Sequence, residues 1–533
     1  MMVLEYGDAV LVLDAGLMFP DDDMHGIDLV LPDFSYIVEN KKRVLGVILT
    51  HGHEDHVGAL PYLLKEVDAP VYGTRLTLGL VNAKLGEHGL QGKVSLNEVS
   101  SAKPLTLGPF TIEFLDVTHS IPDGVGFGIH TPVGTIVHTG DFKLDQTPID
   151  NRPTAMQKFA QLGSKGVLLL MSDSTNADSP GFTSPERGVG RALEGIFALA
   201  PGRVIVASFA SHIHRIQQVM DTCDKYGRSL AVIGRSMVKN VNIAQNLGYL
   251  KVPEGLLIKP HDINLLPADR VAILSTGSQG EPLSALARIA SRDHPLVEIT
   301  KGDTVVISAR AVPGNETSVY RTIDRLFAAG ARVIYESSAG VHVSGHAAAE
   351  ELKVMLNLVR PKYFMPVHGE HRHMHFHSEL AKATGVPADN IFLLENGDVL
   401  ELDANGAGIT GKVQAGMTLV DGFAMGDLHN LVLRDRQHLA NDGLVIIVMA
   451  RSAQDGQIVG DLEIVFRGFA HPGDIEVLTE KAKARVIEAL TGEEFSQSSD
   501  ITLVTNRVHD VLQKFLHKEV GRRPMVLPVI VEV

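Results

Sequence analysis

The 533-residue chain is 44% hydrophobic and 21% charged, with a formal net charge of −15. Its length is too great for one core and predicts two to four domains, while the acidic total excludes a nucleic-acid binder that works through overall charge. No run of about 18 apolar residues occurs, so no membrane helix is expected; the N-terminus lacks a signal-peptide pattern, and the single cysteine, Cys223, excludes a disulfide framework, fits a reducing cytoplasm and reads as a buried apolar residue.

Residues 3–16 read as a β-hairpin turning at Gly7-Asp8. Asp21-Asp22-Asp23, with His25 and Asp28, is either a solvated acidic loop or a structural cation site of the Ca²⁺ type. The apolar run Val44–Leu49 then ends in Thr50-His51-Gly52-His53-Glu54-Asp55-His56. Imidazoles and a carboxylate packed this closely suit Zn²⁺ or Mn²⁺. His51 and His53, two apart, point the same way in extended backbone, and Asp55 and His56 can face a second ion. Helices are predicted at 61–67 and 74–85, and short strands at 71–72, 111–115, 126–130 and 135–138, which is an α/β layered pattern.

From about 186 onward, strands and helices alternate: 203–208 with 213–225, 229–233 with 239–247, 271–275 with 282–290, 304–308 with 317–328, then 332–335. These βαβ units predict a mostly parallel sheet. Residues 203–259 hold eight Lys/Arg against three acids, which reads either as a positive surface for a phosphate chain or as solvated helix faces. Metal-type residues return after 355, where 361–367 leads into His368, so the βαβ block looks inserted into the first domain. The histidine-rich run His371–His377 reads as the structural start of a helix. Short strands and turns are expected over 396–425, and a boundary over 426–442. Strands at 444–449, 457–467 and 525–533, with helices at 474–490 and 500–518, form a last small α/β unit.

Four apolar stretches thus end in ligand residues: the His51–His56 segment, Asp116-Val117-Thr118-His119, His138-Thr139-Gly140-Asp141 and Val367-His368. A layered sheet brings such strand ends to one edge. In this order HxHxDH, His119, Asp141 and His368 resemble the metallo-β-lactamase fold, and the insertion before His368 resembles the β-CASP nucleases. The stretches Ser172-Asp173-Ser174-Thr175-Asn176-Ala177, Gly234-Arg235-Ser236-Met237, Ser275-Thr276-Gly277-Ser278-Gln279-Gly280-Glu281, Pro313-Gly314-Asn315-Glu316 and Val343-Ser344-Gly345-His346 extend the resemblance to the bacterial ribonuclease J family over essentially the whole chain.

The resemblance implies an αββα metallo-β-lactamase sandwich at 1–186 and 355–428, a β-CASP α/β domain at 187–354, a linker at 429–442 and a C-terminal α/β oligomerisation domain at 443–533. It implies two divalent ions, one held by His51, His53 and His119, the other by Asp55, His56 and His368, with Asp141 bridging both. Asp55, Asp173 and His346 are implied as catalytic; Asp173 either holds His346 protonated or only caps a turn. Asp14 is implied to orient ligands from behind. Ser211, His342, Ser344 and His346 fall where the family binds the 5′ phosphate of RNA, and Arg235 either touches the RNA backbone or pairs locally. The implied activity is metal-dependent 5′→3′ exonuclease action on 5′-monophosphorylated single-stranded RNA, with endonuclease cutting, in RNA maturation and decay. The implied partners are a second or further copies (homodimer or homotetramer) and other RNA-decay proteins, with no membrane. A small-molecule ester or lactone hydrolase of the same fold is the competing reading, and the long insertion argues against it. A non-catalytic scaffold is disfavoured by the complete ligand set. Against the family pattern the chain opens short by one strand, and His212 stands where a smaller polar residue is expected.

Overall fold

In the strand Val167–Asp173 successive residues face opposite ways: Leu169 and Met171 enter a core between two sheets, while Leu170 packs beneath helices. This alternation sets the layers of the unit formed by Met1–Met18 and Leu31–Met417. The chain is described by a computed structural model at all residues except 22–23, 282, 313–314, 336–338, 404, 423, 427–429, 453–456, 470–474 and 492–500. One sheet runs Met2–Tyr6, Ala9–Leu13, Val44–Ile48, Val71–Gly73, Leu96–Glu98. The other runs Pro361–Val367, Val167–Asp173, Thr135–His138, Val125–His130, Phe110–Asp116, Leu105–Leu107. Leu11, Leu13, Ile48, Phe114, Phe127 and Met365 fill the space between them. Helices Met156–Lys165, Ala349–Val359 and His371–Ala383 cover the far face of the second sheet through Phe159, Leu356 and Ala381. Gly163 lets two of these helices touch, since a Cβ there would lie 2.1 Å from the Leu358 carbonyl oxygen.

The chain leaves the second sheet at Asp173 and returns on the adjacent parallel strand, where Asp173 pairs with Val367. The intervening block builds its own all-parallel sheet, in the order Leu257–Ile258, Ser229–Ile233, Val271–Ser275, Val204–Ala207, Thr304–Ile307, Arg332–Ile334. Val204 and Val206 face one core, Ile205 and Ala207 the other, as a sheet with helices on both faces requires. The helix expected from 239 begins earlier, as Arg235–Asn246.

The basic window is not one positive surface. Arg203, Arg215 and Arg228 are buried. Arg203 pairs with Asp303 at 2.6 Å, Arg215 with Glu186 at 2.6 Å, and Arg228 donates to the Ala200 carbonyl at 2.9 Å. Lys225 and Lys239 pair with Glu194 and Glu87. Arg235, Lys251 and Lys259 remain as exposed cations.

The second unit comprises Phe19–Val30 and Thr418–Val533. Residues expected to form a linker over 429–442 instead form the helix Asn430–Asp442. Its Leu433 packs on Ile27, Val30 and Leu419, and its Arg436 pairs with Asp421. Strands Ile458–Arg467, Leu444–Arg451 and Met525–Glu532 form a sheet in that order. Helix residues at four-residue spacing cover one face: Leu478, Ala482, Val486 and Leu490, then Val504, Val508, Leu512 and Leu516. Among the described residues no helix is long and apolar enough to cross a membrane.

Candidate metal centre and active site

Ligand-type side chains gather at the carboxyl ends of strands from both sheets of the first unit. Asp14 follows Ala9–Leu13, His51 and His53 follow Val44–Ile48, His119 follows Phe110–Asp116, and Asp141 follows Thr135–His138. Asp173 ends Val167–Asp173, His368 follows Pro361–Val367, and Asp55 and His56 sit in the helical turn Glu54–Val57. That turn lies against Gly16, where a Cβ would fall 1.5 Å from the Asp55 carbonyl oxygen.

Three groups of donor atoms result among the described residues; one of them, Asp141, Asp173, His346 and His368, overlaps the second of the two that match the expected ligands. Of those two, His51, His53 and His119 form one; Asp55, His56, Asp141 and His368 form the other. In the first, His53 Nδ1 is 3.0 Å from His51 Nε2 and 3.2 Å from His119 Nε2. In the second, Asp141 Oδ2 is 3.2 Å from His56 Nε2 and 3.5 Å from His368 Nε2, and His368 Nε2 is 3.4 Å from Asp55 Oδ2. The same Asp141 oxygen is 3.8 Å from both His51 Nε2 and His119 Nε2, so it faces both groups.

The far nitrogens are tied down, which fixes what the near ones present. His56 Nδ1 donates to Asp14 Oδ2 at 2.8 Å, and His119 Nδ1 donates to the Gly345 carbonyl at 2.8 Å. The Thr175 hydroxyl donates to Asp173 Oδ1 at 2.7 Å, so His368 Nδ1 donates to Thr175 Oγ1 at 2.8 Å. In each case Nε2 is the nitrogen aimed inward, and once neutral it offers the lone pair that metal-binding histidines need. Asp14 adopts a left-handed φ of 55° and also takes Thr50 N and Thr50 Oγ1, each at 2.8 Å.

The donor set fits divalent cations. Asp141 Oδ2 and His56 Nε2 are buried without a hydrogen-bond partner among the described residues, which is costly unless something charged is coordinated there. Burial holds His51 and His119 well below the ordinary imidazole value and His53 down to about 4, so this group is neutral and ready to ligate. Burial opposes a charge on His56 and His368 as well, but carboxylates outweigh it. Asp141, Asp55 and Asp14 hold His56 well above its usual value, and Asp141, Asp55 and Asp173 push His368 up to about 9. Cation binding to the second group therefore releases protons.

The two carboxylate oxygens of Asp173 have different partners. Its Oδ1 accepts from Thr175 N at 3.0 Å as a turn cap, and its Oδ2 accepts from His346 Nδ1 at 2.7 Å. Burial opposes the His346 charge, yet Asp173 and Asp141 hold its pKa above the usual range. His346 Nδ1 lies 4.0 Å from Asp141 Oδ2, and its ring packs on His119 with centroids 4.8 Å apart.

The remaining residues are less tightly grouped. Asn176 Nδ2 donates to Ser344 Oγ at 2.7 Å and to the His346 carbonyl at 3.1 Å. His342 is half-buried, its Nδ1 has no hydrogen-bond partner among the described residues, and its pKa is lowered to about 3 by burial and by Arg215. Ser211 and Arg235 lie at the carboxyl edge of the parallel sheet, Ser211 half-buried in a turn and Arg235 exposed. His212 is a buried N-cap that accepts from Arg215 N. In the histidine run, His373 accepts from Glu370 N, and His377 bonds Ser174 Oγ at 2.9 Å and packs on Phe364; neither belongs to the donor groups. Of the proposed Ca²⁺ loop, Asp22 and Asp23 lie outside the described residues, and Asp28 Oδ2 accepts from Gly422 N. Sequence reasoning gave no role to Thr50, Thr175 or Asn176; their one signal is adjacency to His51 or to Asp173.

Two face-to-face sheets carrying this donor set at one edge, with a parallel α/β block inserted before the last ligand, define a metallo-β-lactamase-type hydrolase of the β-CASP kind. Family models agree: Metallo-beta-lactamase superfamily matches 1–181, Ribonuclease J, beta-CASP domain 201–326, Zn-dependent metallo-hydrolase RNA specificity domain 332–392, and Ribonuclease J C-terminal domain 431–533. The chain is 43% identical to Ribonuclease J 1 of Streptococcus pyogenes, over 99% of this chain and 94% of that one. It is 44% identical to Ribonuclease J of Thermus thermophilus, over 99% and 92%. A solved structure of a protein of unknown function from Enterococcus faecalis shares the fold at 15% identity, with a TM-score of 0.50 over 74% of this chain and 94% of that one. The chain belongs to the ribonuclease J family and is a metal-dependent ribonuclease.

Proposed function

We propose that the protein removes nucleotides stepwise from the 5′ end of single-stranded RNA bearing a 5′-monophosphate, and also cuts internally. The observation that carries this reading is the stretch Val341–His346. It ties His346, beside the donor groups, to Ser344 and His342 on the wall of a cavity of about 480 Å³ that Asn176, Phe182, Arg191 and Arg310 also line. A phosphate held by Ser344, two residues before His346, lies at a fixed distance from the cutting site, which favours cleavage at a set step from the end.

His51, His53 and His119 would hold one cation and Asp55, His56 and His368 the other, with Asp141 facing both groups; imidazole and carboxylate suit Zn²⁺ or Mn²⁺. Divalent cations held there would lower the pKa of a bound water and would offset charge on the phosphate. Asp14 and the Gly345 carbonyl orient His56 and His119. Asp173 keeps a proton on His346 Nδ1, leaving Nε2 to donate to the phosphate or to the departing 3′ oxygen. Ser211 and Arg235 contact the RNA backbone from the neighbouring sheet edge. Domain boundaries near 187 and 355 are supported by the chain leaving the second sheet after Asp173 and rejoining it at Pro361. Leu527, Val529 and Val531 are exposed on one face of the last strand, which supports self-association through the C-terminal unit. The lone buried thiol of Cys223 supports a reducing, cytoplasmic setting.

RNA labelled at its 3′ end and carrying a 5′-monophosphate or 5′-triphosphate tests the reading. Progressive shortening of the monophosphate form, with the triphosphate form cut only internally, is expected. Equal stepwise digestion of both forms would refute 5′-phosphate capture.

A further inference from the structure

Arg215 is fully buried in the first turn of Ile213–Lys225, and its guanidinium has no open side. Nε and Nη2 donate to the two carboxylate oxygens of Glu186, at 2.6 and 3.0 Å. Glu186 is itself held: its N–H donates to Asp145 Oδ2 at 2.8 Å and its Oε1 also accepts from Gln218. With the fork locked, Nη1 reaches the Ser308 hydroxyl, the Ser308 carbonyl at 3.0 Å and the Val341 carbonyl at 3.2 Å. The Ser308 hydroxyl donates to the same Val341 carbonyl at 2.6 Å.

Val341 opens the stretch that carries Ser344 and His346. That stretch has no regular secondary structure, so its carbonyls depend on outside donors. Three carbonyls are held. The Val341 oxygen is held by Arg215 and Ser308, the Gly345 oxygen by His119, and the His346 oxygen by Thr183 at 2.7 Å and Asn176. His119 and Asn176 belong to the site itself. Arg215 and Ser308 are the anchor that comes from the inserted sheet, at the opposite end of the stretch. A buried ion pair adds little net stability over neutral side chains of similar size. What it supplies here is direction, because only a guanidinium can grip a carboxylate with two donors and aim a third at a carbonyl.

We propose that Arg215 is a positioning residue of the nuclease site: braced by Glu186, it fixes the Val341 carbonyl and thereby the placement of Ser344 and His346 against the metal ligands. The proposal rests on the reading that those two residues serve RNA. Two variants test it. Arg215→Met combined with Glu186→Gln removes both charges and keeps most of the volume. Arg215→Lys keeps a charge beside Glu186 but cannot hold it and also reach Val341. Each is expected to melt within a few degrees of wild type and to retain the wild-type metal content. In each, kcat on 5′-monophosphorylated RNA falls on the order of 10–100-fold, and the kcat/KM preference for 5′-monophosphate over 5′-hydroxyl RNA falls toward one. Wild-type kcat and preference in either folded variant overturn the proposal. So does failure of both variants to fold, which assigns Arg215 to the fold alone. If the wild-type protein itself shows no 5′-monophosphate preference, the phosphate-capture reading fails, and kcat alone decides the role of Arg215.

Discussion

Asp14 contacts no substrate in this account, yet replacing it with Asn should weaken cation binding. Its carboxylate accepts from Thr50 N, Thr50 Oγ1 and His56 Nδ1, all at 2.8 Å. Asn fits the same space and tolerates the left-handed backbone there. It offers one acceptor oxygen, however, and an amide nitrogen that can only donate. With the acceptor on Thr50 N, the amide faces His56 Nδ1 and forces the imidazole proton onto Nε2, the atom 3.2 Å from Asp141 Oδ2. A protonated Nε2 cannot ligate. Loss of such an orienting partner costs about 10–100-fold in metal affinity, or roughly 1.4–2.8 kcal/mol. Competition against a chelator, with metal counted by mass spectrometry, measures this directly, and excess metal should restore RNA cleavage. Wild-type affinity in Asp14→Asn would refute the assigned tautomer and the orienting role.

Three further outcomes follow. His346→Gln should keep its metal and lose about 10²–10⁴-fold in kcat on RNA; near wild-type turnover removes His346 from the chemistry. His377 is buried and held down to about 3 against an ordinary 6.5. Between those values the unfolded chain takes up a proton that the folded one refuses, so stability falls as pH drops below about 6.5. His377→Phe should therefore lose about 2–3 kcal/mol less than wild type between pH 6.5 and 4.5 by urea unfolding, and parallel curves would contradict this. Burial pushes the Cys223 thiol up to about 12, so a disulfide exchange reagent should leave the native protein unlabelled at pH 8 and titrate one thiol in denaturant; rapid native labelling would show the helix Ile213–Lys225 to be loosely packed.

The donor cluster was legible because four apolar strands each lead into one of its segments, and strand ends of a layered sheet converge. Chain order alone therefore brought His51, His119, Asp141 and His368 together. The supports behind them were not legible. Arg203 and Arg215 read as surface charge because their partners, Asp303 and Glu186, are 100 and 29 residues away in sequence. The helix Asn430–Asp442 was read as a linker for a similar reason: its packing partners Ile27 and Val30 come from near the other end of the chain. Asp173 shows a different limit. Local sequence suggested a cap or a partner of His346 as alternatives, and in space one carboxylate oxygen accepts from Thr175 while the other accepts from His346.

The central claim is that the two donor groups sharing Asp141 are the cutting site. Stripping the protein with a chelator and titrating Zn²⁺ or Mn²⁺ back, while following RNA cleavage and bound metal together, tests it most directly. Cleavage should vanish on stripping and return as two ions bind per chain, and Asp141→Ala should neither bind the pair nor cleave. Undiminished cleavage by the stripped protein, or by Asp141→Ala, would contradict the account.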